Sequence, residues 1–268
     1  MTWLCQYLGV SRSGFYAWSQ RDESKRAREN RVLLGVIEQV HIETDRSYGS
    51  PRMHQELIGR GHQCGRHRVA RLMRKHGLVA QRKRRYRANA AMAELYAKFD
   101  NRLRKHAPAC RTNELWVGDY TYMRTPQGWL YLAVVLDLYS RRVIGWAVSR
   151  RRTANLTREA LRMAIDQRNP VPGTLFHSDQ GIEYAANSFQ SLLAEHEFQP
   201  SMSRRGNCYD NAHMESFFSS LKLEMGQDFT CVTDAVQQIR DYLYFYNTRR
   251  RHSSLGFRSP IEYETFNT

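Results

Sequence analysis

Two stretches of sequence decide the fold, GTLFHSDQG at residues 173–181 and NCYDNAHME at residues 207–215. The first is a short apolar run that predicts a strand, with Asp179 at its tip and a glycine turn after it. Apolar residues from Met214 to Leu221 recur at positions i, i+3, i+4 and i+7, which predicts a helix with one buried stripe. Glu215 lies in the first turns of that helix, and Lys222 follows about two turns later on nearly the same face. The sequence therefore predicts one acid at the end of a strand, and an acid and a base on one helix.

The positive charge of the chain is concentrated in its first part. The 268 residues carry a formal net charge of +15 and are 41% hydrophobic, enough for a good core and usually for more than one domain. Up to residue 110 there are 23 lysines and arginines against 9 acidic residues, and beyond it 18 against 17. This distribution predicts that the first part of the chain binds a polyanion.

The sequence has no pattern typical of a membrane protein or of a disulfide-stabilised protein. No apolar run approaches the ~20 residues that a membrane helix needs, and the first residues lack the apolar segment of a signal peptide. The five cysteines are scattered and form no C-x-x-C pair, as in a reducing compartment. We therefore expect a cytoplasmic protein. Residue types that bind zinc occur at His62, Cys64 and His67. Because all three lie within six residues and no second pair of ligands follows, a basic turn is the favoured interpretation.

The first 80 residues predict two helical units that read DNA. Residues 1–20 have the outline of a partial helix-turn-helix, and residues 30–80 that of a helix-turn-helix-like DNA-binding domain. The last helix of the second unit carries Arg68, Arg71 and Lys75 on its outer face, which we expect to lie in a major groove. A solvated basic surface is the alternative interpretation, and the excess of positive charge favours DNA.

Residues 81–111 have few periodic apolar positions and predict a basic linker. The run QRKRRYR at residues 81–87 includes Arg84 and Arg85, which we expect to follow a phosphate backbone. The alternative for such a run is a solvated chain without a partner.

Residues 112–225 predict an α/β domain, a mixed five-stranded sheet with helices on its faces. Three strands follow one another from Leu115 to Ser149 with connections too short to cross over, so we expect antiparallel neighbours. Two helices then alternate with two further strands, and the helix that carries Glu215 completes the order βββαβαβα.

Asp119 is the unusual residue of the first strand. Aspartate is depleted in strands, and an ionised one among aromatic and β-branched neighbours requires a cation or a hydrogen-bond donor. If Asp119, Asp179 and Glu215 converge, their mutual repulsion raises their pKa values, and a divalent cation removes that cost. Carboxylates without a cluster of Cys or His favour Mg²⁺ or Mn²⁺, and a pair of such ions assists phosphoryl transfer.

Other acids compete for the same role, namely Asp137, Glu183, Asp210 and Glu224. Asp137 ends the central strand beside Asp119, but the donors of residues 139–141 favour a structural acid. His177 lies two residues before Asp179, and a hydrogen-bonded structural histidine is the favoured interpretation.

Five short motifs carry a resemblance to a known family. They are WVGDYTY at residues 116–122, LDLYSR at 136–141, HSDQG at 177–181, GNCYDNA at 206–212 and ESFF at 215–218. Together with the 35 residues that separate Asp179 from Glu215, they resemble the catalytic core of bacterial insertion-sequence transposases. The resemblance is to the type encoded by a second reading frame, a branch of the retroviral-integrase superfamily, and it spans essentially the whole chain.

The resemblance implies a ribonuclease H-like fold and a DDE-type active site. By position, Asp119, Asp179 and Glu215 would be the catalytic, metal-binding triad with two Mg²⁺ or Mn²⁺ ions, and Lys222 would contact DNA near it. The implied reaction is metal-dependent strand cleavage, after which the 3′-hydroxyl attacks a second phosphodiester. The implied partners are double-stranded DNA of the terminal inverted repeats and of the target.

Residues 226–268 predict a helix followed by a basic tail that is similar to the closing part of the family. Arg250 and Arg251 are expected to bind a phosphate backbone, with a packed tail and solvated arginines as the alternative. The chain departs from the family in its short first helix-turn-helix, and it lacks the leucine heptads that the family places in its first reading frame. The product of that first reading frame is therefore an expected partner. Further copies of the chain are also expected, because the helical units are widely spaced and the implied reaction joins two ends.

The sequence thus predicts a transposase that integrates an insertion sequence, acting in the cytoplasm on the nucleoid. A non-catalytic DNA-binding regulator is the main alternative, which the three retained acids disfavour. An RNA nuclease is a further alternative, which the basic helical units disfavour.

Overall fold

The computed structural model describes residues 2–80, 101–103, 106–203 and 211–267. Its contacts divide the chain into two compact units, residues 1–80 and 81–268. Arg84, Arg85 and Asp210 from the sequence analysis lie outside the described residues. Within the described ranges, no helix is both long enough and apolar enough to cross a membrane.

The first unit is helical. Its described helices are α1 (Thr2–Tyr7), α2 (Arg12–Ser19), α3 (Lys25–Glu43), α4 (Ser50–Gly59) and α5 (Arg66–Lys75). Ser11 and Ser24 cap α2 and α3, because each hydroxyl accepts a hydrogen bond from the backbone N–H three residues later. Ile37, Met53 and Val69 are completely buried and pack α3, α4 and α5 around one core. The predicted helical unit of helix-turn-helix type is confirmed.

The second unit is built on a sheet. Its elements are β1 (Leu115–Thr125), β2 (Gly128–Asp137), β3 (Val143–Ser149), α6 (Ala154–Arg168), β4 (Leu175–Ser178), α7 (Ile182–Ala185), α8 (Asn187–Glu195), β5 (Gln199–Met202), α9 (Ala212–Glu224), α10 (Val232–Thr248) and α11 (Pro260–Phe266). The strand order is β3-β2-β1-β4-β5, with β1, β2 and β3 antiparallel and with β4 and β5 parallel to β1. This confirms the predicted mixed five-stranded sheet of ribonuclease H-like type. The single turn α7 was not predicted.

Helices pack on both faces of the sheet, because side chains of β1 and β2 alternate between two cores. Val117 faces a core with apolar residues of α9 and α10, whereas Trp116 faces a core with residues of α6 and α8. Burying one large apolar side chain stabilises the fold by roughly 1.5–3 kcal/mol, so the first of these cores holds α9 firmly against the sheet. Gly145 of β3 permits the close approach of α6, because a Cβ there would lie 2.2 Å from the Ala160 carbonyl oxygen.

Candidate active site at the end of β4

The register of β1 and β4 brings Asp119 and Asp179 side by side. The last paired residues of these parallel strands are Gly118 and Ser178, so the next residue along each chain is one of the two acids. The chain turns away at this point, where the backbone N–H of Gly181 donates a hydrogen bond of 2.9 Å to Asp179 Oδ1. The acid predicted at the tip of a strand therefore meets the acid of the first strand.

Asp119 is half-buried and held by two donors. The backbone N–H of Tyr120 donates to Oδ1 at 2.7 Å, and the side-chain amide of Asn211 donates to Oδ2 at 2.9 Å. Burial raises the pKa of Asp119 well above its usual value, and the charges of Asp179 and Glu215 raise it further against these hydrogen bonds. An ionised carboxylate is therefore costly here unless a cation is bound.

Burial also raises the pKa of Asp179, and the charge of Glu183 adds to that effect, while a backbone N–H and Arg152 oppose it. Arg152 lies between β3 and α6. Its Nε is 2.5 Å from Glu183 Oε1, and its guanidinium carbon is 5.1 Å from the centre of the Tyr120 ring. Sequence reasoning missed Arg152, although a run of three arginines directly after a strand was an available signal.

Asp119 and Asp179 line one cavity of about 490 Å³. Its other lining residues are aromatic, hydroxyl-bearing or basic, namely Tyr120, Thr121, Tyr122, Trp129, Tyr131 and Arg152. Lys222, in the last turn of α9, borders the cavity, because its Nζ lies 5.1 Å from the centre of the Tyr122 ring. Burial lowers the pKa of Lys222. The cavity thus combines two acids with cations and aromatic rings.

Glu215 lies in the first turn of α9, near the two aspartates but apart from them. Its neighbours Met214 and Phe217 are buried against the sheet, whereas Glu215 itself is exposed. Its charge raises the pKa of Asp119, so the two carboxylates lie within electrostatic reach of each other. Over the part of the chain that the structure describes, no three acidic, histidine or cysteine side chains are grouped to hold a metal ion. The structure therefore brings Asp119 and Asp179 together and leaves Glu215 beside them.

Asn211 links the start of α9 to the site. It occupies the N-cap position of α9, but its amide donates to Asp119 instead of capping the helix. Its Oδ1 is buried and receives no hydrogen bond from the described residues. An oxygen of this kind on a residue bonded to the Asp119 carboxylate fits the oxygen ligands that a hard divalent cation prefers.

The competing acid Asp137 has a structural role. It is completely buried and accepts hydrogen bonds from the backbone N–H groups of Asn113 at 2.8 Å and Tyr139 at 2.9 Å. Arg168 lies 4.0 Å from the same carboxylate. These donors match the structural interpretation that the sequence favoured for Asp137.

His177 is a structural histidine. It is completely buried, with Nδ1 2.8 Å from the Ser201 hydroxyl and Nε2 3.0 Å from the Ser203 hydroxyl. The backbone N–H of Arg102 also donates to the Ser201 hydroxyl at 3.0 Å. His177 therefore joins β4 to β5 and does not face the cavity of the two aspartates.

The three basic residues predicted to face DNA on α5 differ in whether their side chains are exposed or paired within the protein. Arg71 and Lys75 are exposed. Arg68 corrects a prediction, because its Nε lies 2.7 Å from Asn30 Oδ1 and its Nη2 lies 3.2 Å from Glu29 Oε2. Arg68 thus fastens α5 to α3 instead of facing outward with the other two.

Arg250 corrects a second prediction. It is 4% exposed, and its Nε and Nη2 each lie 2.6 Å from an oxygen of the Glu224 carboxylate. The Tyr242 hydroxyl donates to the same carboxylate at 3.0 Å. Because this guanidinium is buried and paired, Arg250 is neither exposed to a phosphate backbone nor a solvated arginine of a packed tail. Arg251 is half-buried, and its Nη1 donates to the Phe257 carbonyl at 3.2 Å.

Three family models match the chain. A model described as "Integrase core domain" matches residues 109–208, and another with the same description matches residues 196–260. A model described as "HTH-like domain" matches residues 27–86. The two integrase-core matches together contain the three predicted acids, and the third contains α5.

Two relatives are similar over nearly the whole chain. The "Insertion element IS600 uncharacterized 31 kDa protein" of Shigella sonnei is 39% identical, over 97% of this chain and 97% of that protein. The "Transposase InsF for insertion sequence IS3A" of Escherichia coli (strain K12) is 38% identical, over 98% of this chain and 93% of that protein. A chain of the simian T-cell lymphotropic virus intasome, solved in complex with PP2A regulatory subunit B56 gamma, is 15% identical with a TM-score of 0.53. The match covers 85% of this chain and 74% of that one, and it concerns the fold alone.

Proposed function

Because the chain belongs to the IS3 family of insertion-sequence transposases, we propose that it cleaves DNA at the ends of an insertion sequence and transfers those ends into target DNA. Membership makes it a polynucleotidyl transferase of the DDE type with an integrase core and DNA as its partner. One observation carries the proposed chemistry. Asp119 and Asp179 lie side by side in a cavity where burial raises the pKa of both, and the charge of Asp179 raises the pKa of Asp119 further.

We propose that Asp119, Asp179 and Glu215 hold two divalent ions, Mg²⁺ or Mn²⁺. The donor set consists of carboxylate oxygens, with the buried Asn211 Oδ1 beside them, and such oxygens suit hard cations. When bound, the ions activate an attacking hydroxyl and stabilise the leaving oxygen of a phosphodiester. The repelling aspartates support this proposal, because their ionised forms gain most from a cation.

The other residues of the site position the DNA and balance its charge. Arg152 and Lys222 place positive charge on the wall and rim of the cavity, where we expect them to contact phosphate oxygens. The side chain of Glu215, exposed in the first turn of α9, turns toward Asp119 to complete the set. With the phosphate held in this way, the freed 3′-hydroxyl of the element attacks a target phosphodiester in line. A new P–O bond forms as the bond from phosphorus to the target's 3′-oxygen breaks, and that oxygen leaves as a hydroxyl.

The proposed DNA contacts outside the cavity follow the charge of the chain. Arg71 and Lys75 on α5 bind the terminal inverted repeats, and Arg84, Arg85 and Arg251 add contacts to phosphate backbones. Since two ends must be joined to one target, the protein acts as a homo-oligomer. It acts on the nucleoid in the cytoplasm, with the product of the element's first reading frame as a further partner.

A strand-transfer assay on terminal-repeat DNA with Mg²⁺ tests the proposal. Glu215→Gln keeps the size of the side chain and removes its charge, so we expect cleavage and transfer to fall at least ~100-fold. Asp166→Asn is the matched control, because Asp166 is an exposed acid on α6. It should leave both steps unchanged.

Two outcomes decide against the proposed chemistry. If Glu215→Gln transfers strands as well as the wild type, Glu215 is not part of the active site. If the wild type binds terminal-repeat DNA but cuts none with Mg²⁺ or Mn²⁺, the chain acts as a DNA-binding regulator.

A further inference from the structure

Three aromatic side chains, Tyr122, Trp129 and Tyr131, form a shelf on the β1–β2 hairpin, hereafter the aromatic shelf. The centre of the Tyr122 ring lies 5.2 Å from that of Trp129 and 6.4 Å from that of Tyr131. Tyr122 is 54% exposed and Trp129 is 48% exposed. Single exposed aromatic residues are ordinary, but adjacent exposed rings beside a cavity are typical of binding surfaces.

The strand register explains why the rings of the shelf lie together. Tyr122 pairs with Tyr131 and Arg124 pairs with Trp129 across the hairpin, so all four side chains share one face. Residues of the other face, such as Met123, are buried in the core with α9 and α10. Tyr131 also packs against the core of α6 and α8, whereas the exposed rings of Tyr122 and Trp129 belong to neither of the two cores around the sheet.

Two cations complete the shelf. Lys222 Nζ lies 5.1 Å from the centre of the Tyr122 ring, and the guanidinium carbon of Arg124 lies 5.7 Å from the centre of the Trp129 ring. Exposed rings next to positive charge are complementary to a nucleotide, because its base stacks on an aromatic face and its phosphate is anionic.

The shelf also lies at a useful distance from the two aspartates. All three rings line the cavity that contains Asp119 and Asp179. Tyr122 follows Asp119 by three residues of β1, which is about 10 Å along a strand. Stacked bases of one strand are about 3.4 Å apart, so a base within about three nucleotides of a phosphate at the aspartates reaches the shelf.

We propose that the aromatic shelf binds an unpaired base of the DNA strand whose phosphate lies at Asp119 and Asp179. A paired base is covered by its neighbours in the duplex, so only an unpaired one presents a face to the rings. This inference rests on the proposed function, because the phosphate at the two acids is the one that the reaction cleaves or joins. It adds a substrate class, a DNA end with single-stranded bases.

The test measures DNA binding by the full chain in EDTA, so that no strand is cut. One probe is a duplex with a single-stranded extension that carries fluorescent 2-aminopurine next to the junction, and the other is the fully paired duplex. Tyr122→Ala and Trp129→Ala should weaken binding of the extended probe about 5- to 100-fold and abolish the quenching of 2-aminopurine. Tyr122→Phe and Trp129→Phe keep a ring and should retain both properties.

One matched control and three possible results test whether the aromatic shelf binds an unpaired base. Tyr244→Ala truncates an exposed tyrosine on α10 outside the cavity and should change neither affinity nor quenching. The inference is wrong if the alanine variants bind the extended probe normally, if the phenylalanine variants fail equally, or if the paired duplex loses affinity to the same extent.

A second copy of the chain is the other occupant that the test distinguishes. In that case the alanine variants would lower the sedimentation mass and leave 2-aminopurine quenching unchanged, which would also overturn the inference. Failure of this inference can be distinguished from failure of the proposed function. The binding assay requires no cleavage, whereas the assay with Glu215→Gln does not involve the shelf.

Discussion

At the scale of single residues, the site is marked by Asp119, whose ionised form costs free energy in the folded chain. Its two oxygens accept hydrogen bonds from Tyr120 and Asn211, yet burial and the charge of Asp179 still raise its pKa. The ionised form of Asp119 is therefore less favourable in the folded chain than in the unfolded chain. A protein retains such a residue where function requires it, and the cost appears in stability.

The pH dependence of stability gives a first test of this cost. Because the folded pKa of Asp119 is raised, its penalty is absent below the usual aspartate pKa, grows as pH rises toward the raised value, and is complete above it. In EDTA, Asp119→Asn should therefore raise the melting temperature by roughly 2–4 °C at neutral to alkaline pH. The gain should shrink as pH falls through the raised pKa.

Melting curves of the full chain at about pH 8 and about pH 5 provide the measurement. Asp166→Asn, an exposed acid on α6, should show no such pH dependence. A gain for Asp119→Asn that is equal at both pH values, or a loss at the higher one, would contradict the electrostatic argument.

At the scale of elements, α9 is fastened at both of its ends. Asn211 binds β1 at the start of the helix through Asp119, and at its end Glu224 binds Tyr242 of α10 and Arg250, which follows α10. Between these points, buried apolar side chains fix the helix on the sheet. The position of Glu215 near the aspartates is thus set by contacts that come from three distant parts of the chain.

The buried pair of Glu224 and Arg250 yields the prediction at this scale. Arg250→Ala leaves a buried carboxylate without its cation, so we expect a loss of about 3–5 kcal/mol in the free energy of unfolding. Replacing both residues, by Glu224→Leu with Arg250→Met, should cost less than Arg250→Ala alone, because no unpaired charge remains. Urea unfolding of the full chain measures both.

Arg249→Ala is the control, because its side chain is exposed next to Arg250. It should change the free energy of unfolding by less than about 0.5 kcal/mol. If Arg250→Ala also changes the free energy of unfolding by less than about 0.5 kcal/mol and instead weakens DNA binding, Arg250 binds a phosphate backbone as the sequence predicted.

At the scale of the whole molecule, the excess positive charge and the two candidate catalytic aspartates lie in different parts of the sequence. The excess of lysine and arginine lies before residue 110, while the two adjacent aspartates lie in the later part, which is close to neutral. A basic region raises the rate and strength of DNA association, and its effect is screened by salt. Under the proposed function, this division predicts that DNA capture and strand transfer depend on different parts of the protein.

Salt titrations of DNA binding test that division. Arg71→Ala and Lys75→Ala should each weaken binding and reduce the slope of log affinity against log salt by about 1, because each removes one exposed phosphate contact. Arg68→Ala is the matched comparison on the same helix. Its side chain is paired with Asn30 and Glu29, so it should lower stability without changing the slope. An equal slope change for all three would show that Arg68 leaves its partners to bind DNA.

The sequence by itself determined the fold class, the family and all the strands and helices of the sheet domain except the short α7 and α11. Alternation in strands, helical periodicity before and after Glu215, and turn residues after Asp179 are local properties, so neighbouring residues suffice to predict them. The five-stranded mixed sheet followed from the same patterns together with the lengths of the connections. The motifs around the acids were short and contiguous, and the relatives confirmed the family that they indicated.

Only the tertiary structure decided what each charged side chain contacts. Arg68, Arg71 and Lys75 were equivalent in the sequence, but only Arg68 meets Asn30 across two helices. Likewise, Arg250 looked like its neighbour Arg251 until the fold placed it against Glu224.

Three further features also depend on which strands pair. They are the approach of Asp119 to Asp179, the position of Arg152 at their cavity and the aromatic shelf beside them. The physical reason is that a charge is buried or exposed according to partners that the folded chain brings together, and no local pattern specifies those partners.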